Sequence, residues 1–552
     1  MTLRRIAGCL VALGVFLVWL HSLGLRLPYM DQVPVFDADC TTSEASMWAR
    51  MWWDEGPLKM WFSTPIAPRS IEAPERVLYE SWPPGAFVPV YLIAMALGRE
   101  PSVPIVNWIN TGEHGLIALA AALIAFNIAS MNRIGKVSSG LIAVGVSFPI
   151  LLSRGPLYVF SQVYDVTNAV LIYTTLFLLL ETLFYSAQRE REKRIITAFE
   201  LVIIFTAFFV DWLSYTLFAF WIFSRLAASY FGVETRMRMR GVIALCLLPM
   251  SAFGLYLVWR FFAPDSMARQ LGVATSVHQL FLKIQQRMNL SSDSPISGFM
   301  DAFVGQIHTD FYTPIAFALI AGSTLATLVL VMIAFRRACD PAERKAVFAT
   351  GSILFLVTVP FYVHMLILYE HTFIHRWAIM KAMLAYGLVP FALLPIAALA
   401  TVRPFMSGKA LPRFGFAVLS LAVALCAIVC AETITEEPWY LLGRVNRTAY
   451  LMWDDIGRNT RYEDVVVSPV LEAAPISAQI GASYKLVHLA KDFAEADKVV
   501  ERLCGDYNLV VALPEGTYAG DFASRQPAEA IDTGRIRLLR FQLYRGKALG
   551  CP

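Results

Sequence analysis

The stretch LYEHTFIHRWAIMK, residues 368–381, sets Glu370, His371, His375, Arg376 and Lys381 between two long apolar runs. One run, near 346–369, leads in, and the other, near 376–400, leads out. Each meets the roughly 20 residues that a bilayer core demands of a helix. Titratable groups wedged between two such runs mark a membrane boundary. Further apolar runs fall near 6–24, 104–131, 137–153, 163–186, 195–209, 212–230, 239–262, 311–334 and 414–433. The composition agrees: 57% of residues are hydrophobic and 16% charged, where a soluble chain carries roughly 25% charged. Mean hydropathy is +0.56. The expected fold class is mainly α, a polytopic transmembrane helical domain. The net charge of +4 matters less than where the charges lie.

The connections fall into two alternating classes. MNRIGK, SAQREREKR, FGVETRMRMR, FRRACDPAERK and VRPFMSGKALPR are basic, and the positive-inside rule assigns them to the cytoplasm. Between them come SRGPLYVFSQVYD, the tip at Asp211, the 263–310 loop and YEHTFIHR. The alternation holds if PGAFVPVYLIAMALG (84–98), short for a span, lies at the membrane surface. About eleven helices result, with the amino terminus inside and the carboxyl terminus outside. The opening basic and apolar segment is long enough to be a retained first helix and has no clear small-x-small cleavage site.

Residues 1–433 are then a transmembrane domain with an external loop over 27–103, and 434–552 an external domain. In the tail, EDVVVSPV, YNLVVALP and IRLLRFQLYRG read as strands and AKDFAEADKVVERLC as a helix, so a small α/β domain is expected. The eight cysteines form neither a disulfide framework nor a CxxC zinc pair. Cys426 and Cys430 read as core filler. Cys504 and Cys551, in a compartment where disulfides persist, are expected to pair.

Unusual polar residues gather at the external ends of the helices. The first loop holds PVFDADCTTSEASMWARMWWDEG and then LYESWPPGAFVPVY, with Glu80 and Trp82. Thr41 to Glu55 has helical spacing, with Glu44, Trp48 and Met51 on one face and a capping box from Thr41 to Glu44. A helix lying on lipid would account for the same pattern. Asp37 and Asp39 form an i, i+2 pair whose carboxylates, in an extended segment, project to one side. They are the candidate ligands should a divalent cation take part, with solvated loop acids as the plain alternative. Tyr164 and Asp165 precede one apolar helix and Asp211 lies between two others. Ionised groups there need a wet cavity or a partner. A shared cavity is the economical reading, and interhelical pairing the alternative.

Lys381 falls five residues past Arg376, about 7–8 Å further along a helix. Burial in a span costs a lysine about 2.5–3.5 kcal/mol unless it snorkels. His371 and His375 share a face, but Glu370 precedes both, which is not the HExxH zinc pattern.

Together these parts resemble the GT-C superfamily of membrane glycosyltransferases, near the protein mannosyltransferases and the lipid A aminoarabinose transferase. The carriers are an acid before an A…AR…G helix, the WPPG turn, the aspartate after the third helix, the H…H segment opening a late helix and the external tail domain. Ser43-Glu44 stands where the family has Asp-Glu, so Glu44, Asp37 or Asp39 supplies the catalytic acid. Asp165 matches the family's later acid. The resemblance implies an enzyme that takes a sugar from a polyprenyl-phosphate donor and gives it to an extracytoplasmic lipid, glycan or protein. Its location would be a bacterial inner membrane, with the active site on the periplasmic face of the cell envelope. His371, His375, Arg376 and Lys381 would hold the donor phosphate, with Asp211, Tyr164, Glu80 and Trp82 lining the cavity. The chain has no P-loop or Rossmann glycine fingerprint, and no nucleic acid is among the expected partners.

Two rival readings use similar residues. A transporter or flippase of lipid-linked sugars would need membrane acids and basic clamps, but transporters commonly show repeated halves and none is visible. A polymerase or ligase acting on a lipid diphosphate would differ only in donor.

Overall fold

The helix at the centre of the molecule is built from small residues. In the computed structural model α4, Val103–Met131, places Ala118, Ala121, Ala122, Ala125 and Ala129 in its core. Alanines three and four apart let backbones approach closely, the packing device open to helices in lipid. α4 packs on α1 (Leu3–Arg26), α5 (Lys136–Leu152) and α7 (Val166–Ser186). The structure describes residues 3–30, 38–65, 78–234, 239–264, 266–288, 314–369, 372 and 376–405. In the tail it describes 455–456, 459–460, 464–468, 486–489, 507–514, 529–533 and 536–543.

Between these come α2 (Ala38–Glu55) and α3 (Val88–Leu97), then α6 (Arg154–Gln162), which meets α5 at a 61° bend. Next are α8 (Glu190–Ala207), α9 (Leu213–Tyr230), α10 (Met239–Phe262), α11 (Met267–Leu271) and α12 (Val273–Arg287). α13 (Pro314–Arg337) and α14 (Pro341–Ile367) follow. The last membrane segment, Trp377–Val402, is irregular. A 3-10 stretch, Arg376–Ala382, leads into α15 (Met383–Leu388), a π segment (Val389–Leu393) and α16 (Leu394–Val402). Pro390 and Pro395 remove two ladder donors there, the usual reason for such a break.

Among the described residues seven helices are long and apolar enough to cross a membrane, or eight if the bent α5–α6 pair is one span. The protein is an integral membrane protein. α8 falls short because Glu190, Arg191, Glu192, Lys193, Arg194 and Glu200 dilute it. The run at 414–433 lies outside the described residues. α3 has ten residues, about 15 Å of helix, half a bilayer core.

Contacts sort the connections into two ends. At one end Arg133 pairs with Asp340 at 2.6 Å, and Lys193 and Lys345 both pair with Glu234. These are the basic connections. At the other end Trp212 donates to the Ser81 carbonyl, Tyr164 N to Thr42 and Trp377 to Asp165. This second end carries α2, α3 and the loop from Leu78 to Ala86.

The tail strands form a five-stranded sheet of order β2-β1-β3-β5-β4. They are β1 Asp464–Ser468, β2 Leu486–Leu489, β3 Tyr507–Pro514, β4 Glu529–Asp532 and β5 Ile536–Leu543. β1 runs parallel to β2 and β3, and β5 antiparallel to β3 and β4. All three expected strands are present. The expected tail helix, Cys426, Cys430, Cys504 and Cys551 lie outside the described residues.

Two local expectations change. α2 begins at Ala38, three residues before Thr41, so Thr41 lies inside the helix and not at its N-cap position. Asp39 is therefore in a first helical turn, where acids suit the helix dipole, and the DAD motif is not extended across it. α2 is also not laid on lipid. Ala45, Trp48, Ala49, Met51 and Trp52 are buried, with Trp48 and Trp52 donating to the carbonyls of Pro65 and Ser63 at 2.8 Å.

Candidate active site

The loop from Leu78 to Ala86 forms one wall of the site, and its geometry follows from its residues. Pro83 and Pro84 bias the chain away from regular pairing. Gly85 then passes so close to the next wall that its N–H donates to the Phe209 carbonyl at 2.9 Å. A Cβ at Gly85 would overlap that carbonyl oxygen. Glu80, fully buried, pairs with Arg260 at 2.8 Å, accepts from Met267 N at 2.8 Å, and its carbonyl accepts from Arg260 at 2.7 Å. The loop is thus stapled to the end of α10.

Glu44 sits half-buried on α2 facing the start of α7. Burial and then the neighbouring Asp165 push its carboxyl up to about 7. Asp165 is the N-cap of α7: it accepts from Thr167 N at 2.7 Å and from the Trp377 indole. Burial raises its carboxyl as well, with Lys381 within electrostatic reach opposing the shift. Two carboxylates in such surroundings cannot both ionise freely. Tyr79 lies within electrostatic range of Glu44, Asp165 and Arg287, and its ring stacks on Trp48 at 5.9 Å.

Lys381 is fully buried, so it does not snorkel. Its Nζ donates to Asp211 Oδ2 at 2.8 Å and to His364 Nε2 at 3.0 Å, and lies 5.4 Å from the Trp82 ring centre. Asp211 also accepts from Leu213 N at 2.6 Å. The pairing reading therefore describes Asp211, and Lys381 is its partner.

A cavity of about 280 Å³ opens beside this pair. Aromatic walls from Trp82, Trp212 and Tyr256 surround it, and Lys283 and Arg287 of α12 enter it together with Arg260 and His364. Burial and the nearby Arg260 lower the Lys283 ammonium below its usual range. In the sequence α12 falls inside the 263–310 connection. Its signal was HQLFLKIQQR, an amphipathic period with cations four residues apart.

The structure therefore gathers Glu44, Asp165, Asp211, Lys381, Glu80 and Trp82 at one end of the bundle. Tyr164 joins them through Thr42, and its hydroxyl donates to the Ala86 carbonyl at 3.0 Å. Asp37, His371 and His375 lie outside the described residues, as do the side chains of Asp39 and Arg376. Among the described residues no three His, Cys, Asp or Glu side chains converge as metal ligands would.

The overall fold is similar to those of several solved structures. The apo oligosaccharyltransferase of Archaeoglobus fulgidus aligns with a TM-score of 0.50 at 10% identity, covering 92% of this chain and 70% of that one. Archaeal oligosaccharyltransferase AglB from Archaeoglobus fulgidus, in complex with an inhibitory peptide and a dolichol-phosphate, gives 0.48 at 10% identity over 90% and 69%. ArnT from Cupriavidus metallidurans bound to undecaprenyl phosphate gives 0.43 at 12% identity over 100% of both chains. At such identities the likeness is one of fold, and the first alignment carries it. The fold is similar to that of the archaeal oligosaccharyltransferase, in line with the polytopic helical fold that the sequence resemblance implied. No protein-family model and no curated protein sequence matches the chain.

Proposed function

We propose that the protein transfers a sugar from a polyprenyl-phosphate donor to an acceptor at the periplasmic face of a bacterial inner membrane. One observation carries this reading: the Glu44 carboxyl, held near 7 beside Asp165, at the end of the bundle opposite the basic connections. A general base works best when its pKa lies near the working pH. Glu44 takes the proton of the acceptor hydroxyl as that oxygen bonds to the anomeric carbon. The bond from that carbon to the phosphate oxygen breaks, and the polyprenyl phosphate departs with the electron pair.

The departing phosphate needs cations aimed at it. Lys283 and Arg287 reach the aromatic cavity, which suits a lipid phosphate better than a soluble one. His371, His375 and Arg376 would join them from the segment just before Trp377. Lys381 would act through Asp211 and the local field, since its ammonium is already bonded. Asp165 tunes Glu44 and fixes Trp377. The sharing of a fold with an oligosaccharyltransferase supports the reading without naming sugar or acceptor.

The test uses membranes from cells making the protein, supplied with a radiolabelled polyprenyl-phosphate sugar. Glu44→Gln should lower label transfer 10²–10⁴-fold, the usual worth of a general base, with expression unchanged. Transfer at the wild-type rate in that variant would overturn the assignment.

A further inference from the structure

A second cavity lies away from the site just described. It is a groove of about 620 Å³ between α3, α4 and α7, lined by Ile93, Leu97, Trp108, Leu116, Ala169 and Leu176. Ile93, Leu97, Trp108 and Leu116 are themselves well exposed, so the groove faces the surroundings of the bundle, where lipid is the solvent. Two charged side chains, Arg99 and Glu113, break this apolar lining, and of the two Glu113 is the buried one.

Glu113 is 91% buried, from its 9% exposure, and its Oε2 has no hydrogen-bond partner. Its Oε1 is 3.4 Å from the Tyr164 hydroxyl, which has one proton and a closer acceptor in the Ala86 carbonyl at 3.0 Å. A buried carboxyl with neither oxygen well served is costly, more so where water is scarce. A hydrogen-bond donor entering from the groove would relieve that cost.

The depth of Glu113 says what kind of donor. α4 has 29 residues, about 43 Å of helix, against a hydrocarbon core of about 30 Å. The overhang belongs at its start, where Asn107, Asn110, Thr111, Glu113 and His114 interrupt the apolar sequence. Half-exposed Trp108 suits a membrane interface, and Arg99, exposed just before the helix, lines the same groove. Glu113 thus sits near the level of lipid head groups, below a cation.

We infer that this groove binds one membrane lipid whose anionic head group carries hydroxyls, its chains along the apolar lining, a hydroxyl on Glu113 and its phosphate toward Arg99. A hydroxyl both donates and accepts, so it serves Glu113 in either protonation state. The inference does not depend on the transferase reading, because the groove shares no lining residue with the aromatic cavity.

Native mass spectrometry of the purified protein with phosphatidylglycerol or phosphatidylcholine tests it. Phosphatidylglycerol brings hydroxyl donors, and phosphatidylcholine brings a phosphate but no donor. The wild-type protein should retain one phosphatidylglycerol at least tenfold more tightly than phosphatidylcholine. Glu113→Leu should abolish that preference. Should Glu113→Leu not fold, Gly112→Leu decides, because a Cβ at Gly112 meets open space and the larger side chain fills the groove. That variant should lose the retained lipid. Equal retention of both lipids, or a preference that survives both substitutions, overturns the inference. Glu44→Gln should leave the preference intact, which keeps failure of the catalytic reading distinct from failure of this one.

Discussion

Lys381→Met is the substitution whose effect the structure bounds most closely. The side chains of Lys381 and Asp211 have no exposure, and their charged atoms lie 2.8 Å apart. Methionine fills nearly the same volume, so the change removes a charge without opening a cavity. Asp211 would keep its bond from Leu213 N and His364 Nε2 at 3.7 Å, but would lose its charged partner in a buried setting. Removing one partner of a buried ion pair typically costs about 3–5 kcal/mol, because the other charge is left uncompensated. At 1.36 kcal/mol per factor of ten, that is a fall of about 10²–10⁴-fold in the folding equilibrium. The double variant Lys381→Met/Asp211→Asn should recover most of it, since the amide still accepts from Leu213 N and no charge remains. The assay is heating in detergent, followed by size-exclusion chromatography of the surviving monomer. The single variant should lose monomer many degrees below the wild type, and the double variant should approach it. Equal thermal survival of the single variant and the wild type would refute the buried pair.

Other outcomes follow from the same geometry. Transfer activity should rise with pH through about 7 as Glu44 loses its proton, and a pH–rate profile without that rising limb would remove Glu44 as the base. The sign for stability is opposite: a carboxyl raised above its unfolded value favours the folded state at low pH, and this contribution fades from about pH 4.5 to about 7. Gly85→Ala should destabilise the protein by about 1–3 kcal/mol, as overpacking does, because the new Cβ meets the Phe209 carbonyl. Thermal melting of that variant checks it, and an unchanged midpoint would contradict the close approach.

What the sequence revealed depended on how local the signal was. Apolar length disclosed α4, α7, α13 and α14, since a span states its own burial. Asp165 was legible as a costly acid at the start of an apolar helix, while its capping of that helix was not. Lys381 was legible as a cation set inward, but its partner Asp211 is 170 residues away, a distance no local pattern bridges. Periodicity placed α2, but the Thr41 capping signal set its start too late, because Asp39 and Thr41 both favour a first turn. The cations of α12 went unread, because a 15-residue amphipathic helix is too polar and too short to register as a span. Glu113 was passed over for the opposite reason: it lies inside a convincing span, and only the groove beside it makes it unusual.

In the proposed reaction the aromatic cavity holds a lipid phosphate on Lys283 and Arg287 while Glu44 performs the proton transfer. The most direct measurement is native mass spectrometry of the purified protein loaded with undecaprenyl phosphate. The wild-type protein and Glu44→Gln should each retain about one molecule. Lys283→Met/Arg287→Met should lose it, by about a hundredfold in affinity if each of the two charge-assisted contacts is worth about 1.5 kcal/mol. Equal retention by all three proteins, or none by the wild type, would rule out phosphate binding on Lys283 and Arg287.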